Sequence, residues 1–336
     1  MLKDFDAIIK NAQCILEKKF PEQYKWTDLY KLYAEQLIAN VEFIKGKRKN
    51  FREWAPLYFY ITTSSAKGNK SKLVLDVRYL GQNVAELVCD KNDKVTISTD
   101  DYNYNNERDF GCTIKLAKCD NVDWKDATEF RKYFRDREPA KKNNLEHKIE
   151  SMLLTEFSKK GGDKFLRGIQ PVKFAGKIRF PMPTALSASN HSKLELPKTG
   201  KGGGIDILTR VGASPHTRLC IIELKDENNC SEPPKLALQQ AVEYTTFIRE
   251  LLRSEGGSIW WELFGFSSAI PAQLTLYATC AMPTREPTMK DDDSFERMQL
   301  TIDSDIIECH YIYFSMSDNN NSLKLIKTSL PQIKNK

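Results

Sequence analysis

Two apolar, β-branched runs, IDILTR at 205–210 and RLCIIELK at 218–225, are separated only by VGASPHT. Gly212 and Pro215 give that spacer a turn signal, and the two runs are read as the strands of an antiparallel hairpin. Residues equidistant from a hairpin turn oppose each other. The midpoint of Asp206 and Glu223 falls between Ser214 and Pro215, inside the turn. The two carboxylates therefore lie near one rung, roughly 5 Å apart if directly opposed. Glu223 and Lys225 are two residues apart on one strand and point to the same face. Asp206, Glu223 and Lys225 thus converge at one end of a sheet.

Two carboxylates this close repel, and are stable together only if one is protonated or a cation lies between them. A hard divalent ion with oxygen ligands suits such a pair. A lysine beside it can hold a metal-bound water or neutralise charge growing on a phosphate. An acid–acid–base cluster in isolation is ordinary hairpin surface. Here Glu223 directly follows Leu219-Cys220-Ile221-Ile222, and a charge emerging from a buried strand is less often incidental.

The surrounding chain reads as mixed α/β. Residues 1–50 are helical by spacing, with Leu29, Leu32, Tyr33, Leu37, Ile38 and Val41 on the apolar stripe. The basic stretch Lys45 to Asn50 ends that pattern. LYFYITT, KLVLDVRYL, AELVCD and KVTIST then read as strands of residues 57–120, with KNDK as a hairpin turn and DYNYNNERDFG as a loop. Residues 124–138 return to helix. Arg137 to Asn144 combine Pro, charge and Asn, which places a boundary between 1–138 and 139–336.

The second part opens on a helix with Leu145, Ile149, Met152, Leu153 and Phe157 as its stripe and Asn144 as N-cap. Glu146 and Glu150 lie one turn apart beside the stripe. Strands follow, then the loop LPKTGKGGG, the hairpin, a helix from Lys235 to Arg253, and strands LTLYATCAM and IECHYIYFSM. Gln240 and Tyr244 share one face of the second helix. This is a central sheet with helices.

Composition narrows the function classes. Net charge is +6 from 51 basic and 45 acidic side chains, so a polyanion partner requires a local basic surface rather than a coated one. No window approaches the roughly 18 apolar residues of a membrane helix, and MLKDFDAIIKNAQ carries acids where a signal peptide would be apolar. Of the eight cysteines none forms a C-x-x-C pair, and the four histidines are scattered. Zinc ligation is therefore not expected, and reduced thiols in a cytoplasm are. Cys220, Cys280 and Cys309 sit in apolar runs as core residues.

Taken in order, these residues resemble the PD-(D/E)XK nuclease superfamily. Glu150 or Glu146 stands on the first helix, Asp206 on the second strand, and Glu223-Leu224-Lys225 on the third. Gln240-Ala241-Val242-Glu243-Tyr244 follows on the next helix, and resembles the branch related to the RecB nuclease domain. Ile205 precedes the Asp where Pro is common. The likeness spans roughly 143–316; residues 1–138 carry none. It implies a restriction-endonuclease-like core behind a separate α+β N-terminal domain with a recognition or regulatory role. It also implies Mg²⁺-dependent hydrolysis of phosphodiesters, with Mn²⁺ as substitute, in restriction, defence or repair. Asp206, Glu223, the Leu224 carbonyl and Glu150, or Glu146 in its place, would hold metal. Lys225 would orient water, and Gln240 and Tyr244 would position the lysine or the nucleic acid. Lys198, Lys201 and Lys235 are expected phosphate contacts. The expected partner is nucleic acid, DNA ahead of RNA, with no membrane and with a homodimer left open. A non-catalytic nucleic-acid-binding module and an RNA-directed nuclease are the competing readings.

Overall fold

In the computed structural model, the described strands between residues 57 and 98 form an antiparallel meander. The residues described are 2–17, 26–47, 51, 54, 56–61, 73–79, 82–89, 94–99, 104–106, 112–114, 121–136, 145–159, 166–180, 182–186, 203–225, 234–283, 298–316 and 322–332. The architecture is mixed α/β, with two seven-stranded mixed sheets. No described helix is long and apolar enough to cross a membrane.

Helices α1 (Leu2–Glu17) and α2 (Trp26–Gly46) open the chain. The buried face of α2 is Trp26, Tyr30, Tyr33, Ala34, Leu37 and Ile44. Leu32, expected on that face, is exposed, because it lies two residues from both Tyr30 and Ala34 and so about 200° around the helix from them. Strands β1 (Leu57–Ile61), β2 (Leu73–Tyr79), β3 (Gln82–Cys89) and β4 (Val95–Ser98) pair in succession. Within the expected loop at 101–111, β5 (Tyr104–Asn106) pairs with β6 (Cys112–Ile114). Its alternation is all polar or aromatic, so periodicity gives no strand signal there. Strand β7 (Val122–Asp123) edges the first sheet, a 3-10 turn follows at Trp124–Asp126, and α3 is Thr128–Arg135.

Helix α4 (Leu145–Ser158) buries Ile149, Leu153, Leu154 and Phe157. Four short strands follow: β8 (Ile169–Pro171), β9 (Lys173–Phe174), β10 (Ile178–Arg179) and β11 (Met182–Pro183). Strand β12 (Gly204–Ile205) pairs with β11, and β13 (Ile207–Val211) with β14 (Arg218–Leu224). Helix α5 (Pro234–Arg253) is buried nearly all round, including its polar Gln240, Glu243 and Arg249. The short α6 (Gly257–Leu263) follows it.

Strand β15 (Thr275–Pro283) runs parallel to β14, and β17 (Asp305–Met316) parallel to β15. Two edge strands, β16 (Gln299–Ile302) and β18 (Leu323–Thr328), complete the second sheet in the order β16-β17-β15-β14-β13-β8. The parallel centre explains the uninterrupted apolar runs of β14 and β15, which are buried on both faces.

Among the described residues, contacts cross the division at 138/139 through both strand pairing and helix packing. Strand β10 joins the first sheet in parallel with β1, with Tyr60 opposite Arg179. Helix α1 packs on α5 and α2 on α6. There Trp26 and Tyr30 meet Phe247, and Trp260 donates from Nε1 to the Tyr30 carbonyl at 3.1 Å. One continuous apolar cluster contains Leu37, Phe59, Trp124, Phe247 and Trp260.

Candidate active site

The hairpin register runs from Val211 opposite Arg218 to Ile207 opposite Ile222. Continuing it by one residue places Asp206 opposite Glu223. At that point the chain leaves β14 to join the β11–β12 pair, so Leu224 loses a main-chain acceptor on this side. The Asp206 carboxylate supplies one: Leu224 N–H donates to its Oδ2 at 2.9 Å. A backbone group that would otherwise be orphaned thereby fixes the carboxylate at the strand end.

Four acids surround that position. Burial and the charges of Glu223, Glu146 and Glu150 hold the Asp206 carboxyl well above its ordinary pKa, against the lowering effect of the Leu224 N–H. Both candidate glutamates of α4 therefore act on Asp206. Glu150 is the deeper: it is 3% exposed, its Oε2 lies 3.3 Å from His147 Nδ1, and its Oε1 is buried with no hydrogen-bond partner.

The predicted lysine joins the group. Lys225 Nζ stands 3.1 Å from Glu223 Oε1 and donates to Gln240 Oε1 at 2.6 Å. Glu223, Lys225 and Gln240 are all buried. Tyr244 is buried one turn further along α5. A Cβ at Gly203 would overlap its hydroxyl and crowd the Leu186 carbonyl, so the glycine allows the loop end to close on the tyrosine. Asp206, Glu223, Lys225, Gln240, Glu146 and Glu150 are thus brought together. Lys235 instead pairs with Asp4 of α1 at 2.8 Å, and Lys198 and Lys201 lie outside the described residues.

Sequence reasoning passed over two parts of this region. Glu243 is buried on α5, three residues after Gln240 and so on the same helix face. Burial and then the Glu223 charge push its carboxyl up to about 8, and its Oε2 has no partner. Its i, i+3 spacing from Gln240 was the available signal. The second part comes from the first sheet. Arg179 is buried, its guanidinium 3.8 Å over the Tyr58 ring, and it donates to Tyr60 Oη at 3.1 Å, Ser151 Oγ at 3.3 Å and Thr155 Oγ1 at 3.4 Å. Arg78 pairs with Asp76 at 3.0 Å and lies 4.4 Å over Tyr60. Burial, then the Glu150 charge, push the Tyr60 phenol up to about 12, against both arginines. No local signal marks these residues, because they meet α4 only through pairing of β1 with β10.

Among the described residues no group of three or more His, Cys, Asp or Glu side chains is arranged to hold a metal ion. The donors nonetheless suit a hard cation: they are all carboxylate oxygens, mutually repelling, and Glu150 Oε1 is buried without a hydrogen bond. Comparisons with family models, curated proteins and solved structures give no match.

Proposed function

We propose that the protein is a divalent-metal-dependent nuclease that hydrolyses phosphodiester bonds of nucleic acid, DNA ahead of RNA. The observation that carries this reading is the convergence of Asp206 and Glu223 just beyond the last hairpin rung, with Glu146 and Glu150 charging the same space and Lys225 held at its edge. The succession α4, β8, β13, β14, α5, β15 supports it: Glu146 and Glu150 lie on α4, Glu223 on β14 and Gln240 and Tyr244 on α5, while Asp206 immediately precedes β13 and Lys225 immediately follows β14.

Asp206, Glu223 and Glu150 would hold Mg²⁺ or Mn²⁺, with Glu146 and the Leu224 carbonyl as further oxygen donors. The ion would supply a Lewis acid for the phosphoryl oxygen and a water of lowered pKa. The remaining roles belong to the chain. Lys225 presents an ammonium group beside Glu223, where it can hydrogen-bond the attacking water and offset negative charge growing on the phosphate. Gln240 accepts from that ammonium and fixes its direction, so the charge is in place before the transition state forms. Tyr244 and Gly203 close the side of the site facing α5.

The test is cleavage of labelled duplex DNA, single-stranded DNA and RNA, with and without Mg²⁺, by the intact chain and by Asp206→Asn. Metal-dependent cleavage of DNA that the variant lacks is expected. Metal-independent binding with no cleavage of any substrate would instead identify a non-catalytic binding module, and cleavage of RNA alone would redirect the substrate class.

A further inference from the structure

At the opposite end of the β13–β14 hairpin, about 17 Å along the strands from Asp206, lies a second concavity. Its volume is about 570 Å³, within the ~300–1,000 Å³ range of small-ligand pockets. It is formed by the hairpin turn and the segment joining α6 to β15, and its lining includes Arg210, Arg218, Trp261, Phe266, Ser268 and Gln273.

Two features of this cavity suit a ligand. The first is charge. Arg210 donates to the Gly265 carbonyl at 2.7 Å and to Gln170 Oε1 at 3.3 Å, and Arg218 donates to the Thr217 carbonyl at 3.3 Å. Neither arginine meets a carboxylate among the described residues, and Arg210 Nε is buried with no acceptor. A half-buried guanidinium without counter-charge is costly, and its planar fork matches an oxyanion. Gly265 makes the approach of Arg210 specific: it has φ +87°, and a Cβ there would stand 2.7 Å from Arg210 Nη1. The second is the aromatic wall. Trp261 stacks on Phe266 with centroids 3.7 Å apart and planes 9° from parallel. The indole is almost wholly buried, and its Nε1–H has no acceptor.

We propose that this cavity binds a nucleoside phosphate. The phosphate meets Arg210 and Arg218, and the base lies against the Trp261–Phe266 wall. The distance from Asp206 and Glu223 makes this a site separate from the carboxylate cluster.

The experiment is calorimetric titration of the full chain in EDTA, which keeps divalent metal out of the carboxylate cluster, with AMP, inorganic phosphate and adenosine as probes. AMP should bind at least about tenfold more tightly than either fragment, because charge and stacking act together. Arg218→Gln should weaken AMP by about tenfold or more through loss of a charge-assisted contact. Ser268→Glu, a surface change that leaves the Arg210 contacts intact, should abolish AMP binding by introducing a like charge. Asp206→Asn should leave it unchanged. Absence of AMP binding at about 1 mM, equal affinity for phosphate and AMP, or indifference to both Arg218→Gln and Ser268→Glu would overturn the proposal. An oligonucleotide that binds far more tightly than AMP and loses that advantage in Arg218→Gln would overturn it too, in favour of a nucleic-acid surface.

Discussion

At Asp206 and Lys225, two residues of one cluster, removal of charge has opposite consequences for the fold. Asp206 is held above its ordinary pKa mainly by burial and by neighbouring acids, so Asp206→Asn relieves repulsion. We expect the metal-free variant to unfold at the same or higher denaturant concentration than the parent, while cleavage falls by two to three orders of magnitude or more. Lys225→Met leaves the Glu223 carboxylate buried without its ion-pair partner, which costs about 3 kcal/mol. It should abolish cleavage while retaining metal binding; metal affinity lost as completely as in Asp206→Asn would contradict the water-orienting role. Glu243 gives the pH dependence. Its folded pKa of about 8 lies above that of the unfolded chain, so its contribution is fully present below about pH 4.5 and is lost as pH rises through about 8. Denaturation midpoints of the metal-free protein should fall over that window, and Glu243→Gln should flatten the fall by on the order of 1–3 kcal/mol. An unchanged slope would mean that the carboxyl is not buried beside Glu223.

At the scale of elements, Arg179 on β10 is the tie between the first sheet and α4. Its guanidinium reaches Tyr60 on β1 and both Ser151 and Thr155 on α4, and α4 carries Glu146 and Glu150. Arg179→Ala should therefore lower both stability, by about 2–4 kcal/mol, and cleavage, although the side chain is no part of the proposed metal set. Arg179→Lys should restore little, since a point charge cannot donate in three directions from one plane while stacking on Tyr58. Full recovery with lysine would reduce the tie to charge alone. The contrast with Asp206 and Glu223 explains which parts of the site the sequence makes legible. Their pairing follows from counting outward from the turn within one hairpin, and Gln240 follows from helix periodicity. Arg179 and Tyr60 are 119 residues apart and meet through a single parallel rung, which leaves no local trace. The same logic covers the missed edge strands β16 and β18: they are short or half-exposed and polar on alternate positions, so their pairing with β17 is set by the sheet rather than by their own composition.

Across the whole molecule, the composition break at Arg137 to Asn144 is not matched by a break in packing. A fragment beginning near residue 140 would keep the hairpin, α4, α5 and the second sheet, and so every acid of the site. It would lose β1, the partner of β10, and with it the Tyr58 and Tyr60 rings that cover Arg179. It would also lose α1 and α2, baring the faces of α5 and α6 now covered by Phe5, Ile9, Trp26, Tyr30 and Tyr33. Each large side chain buried there contributes about 1.5–3 kcal/mol, so the loss of five approaches or exceeds the ~5–15 kcal/mol by which an ordinary domain is stable. We expect residues 140–336 expressed alone to show no cooperative thermal transition by circular dichroism and to bind a hydrophobic dye, with no metal-dependent cleavage. Adding the same chain's residues 1–139 in trans should restore a transition in part, because β1 and α2 supply complementary faces rather than catalytic groups. A fragment that melts cooperatively and cuts DNA by itself would show that the two sheets are stable apart, and would return residues 1–138 to the role of a separable recognition domain.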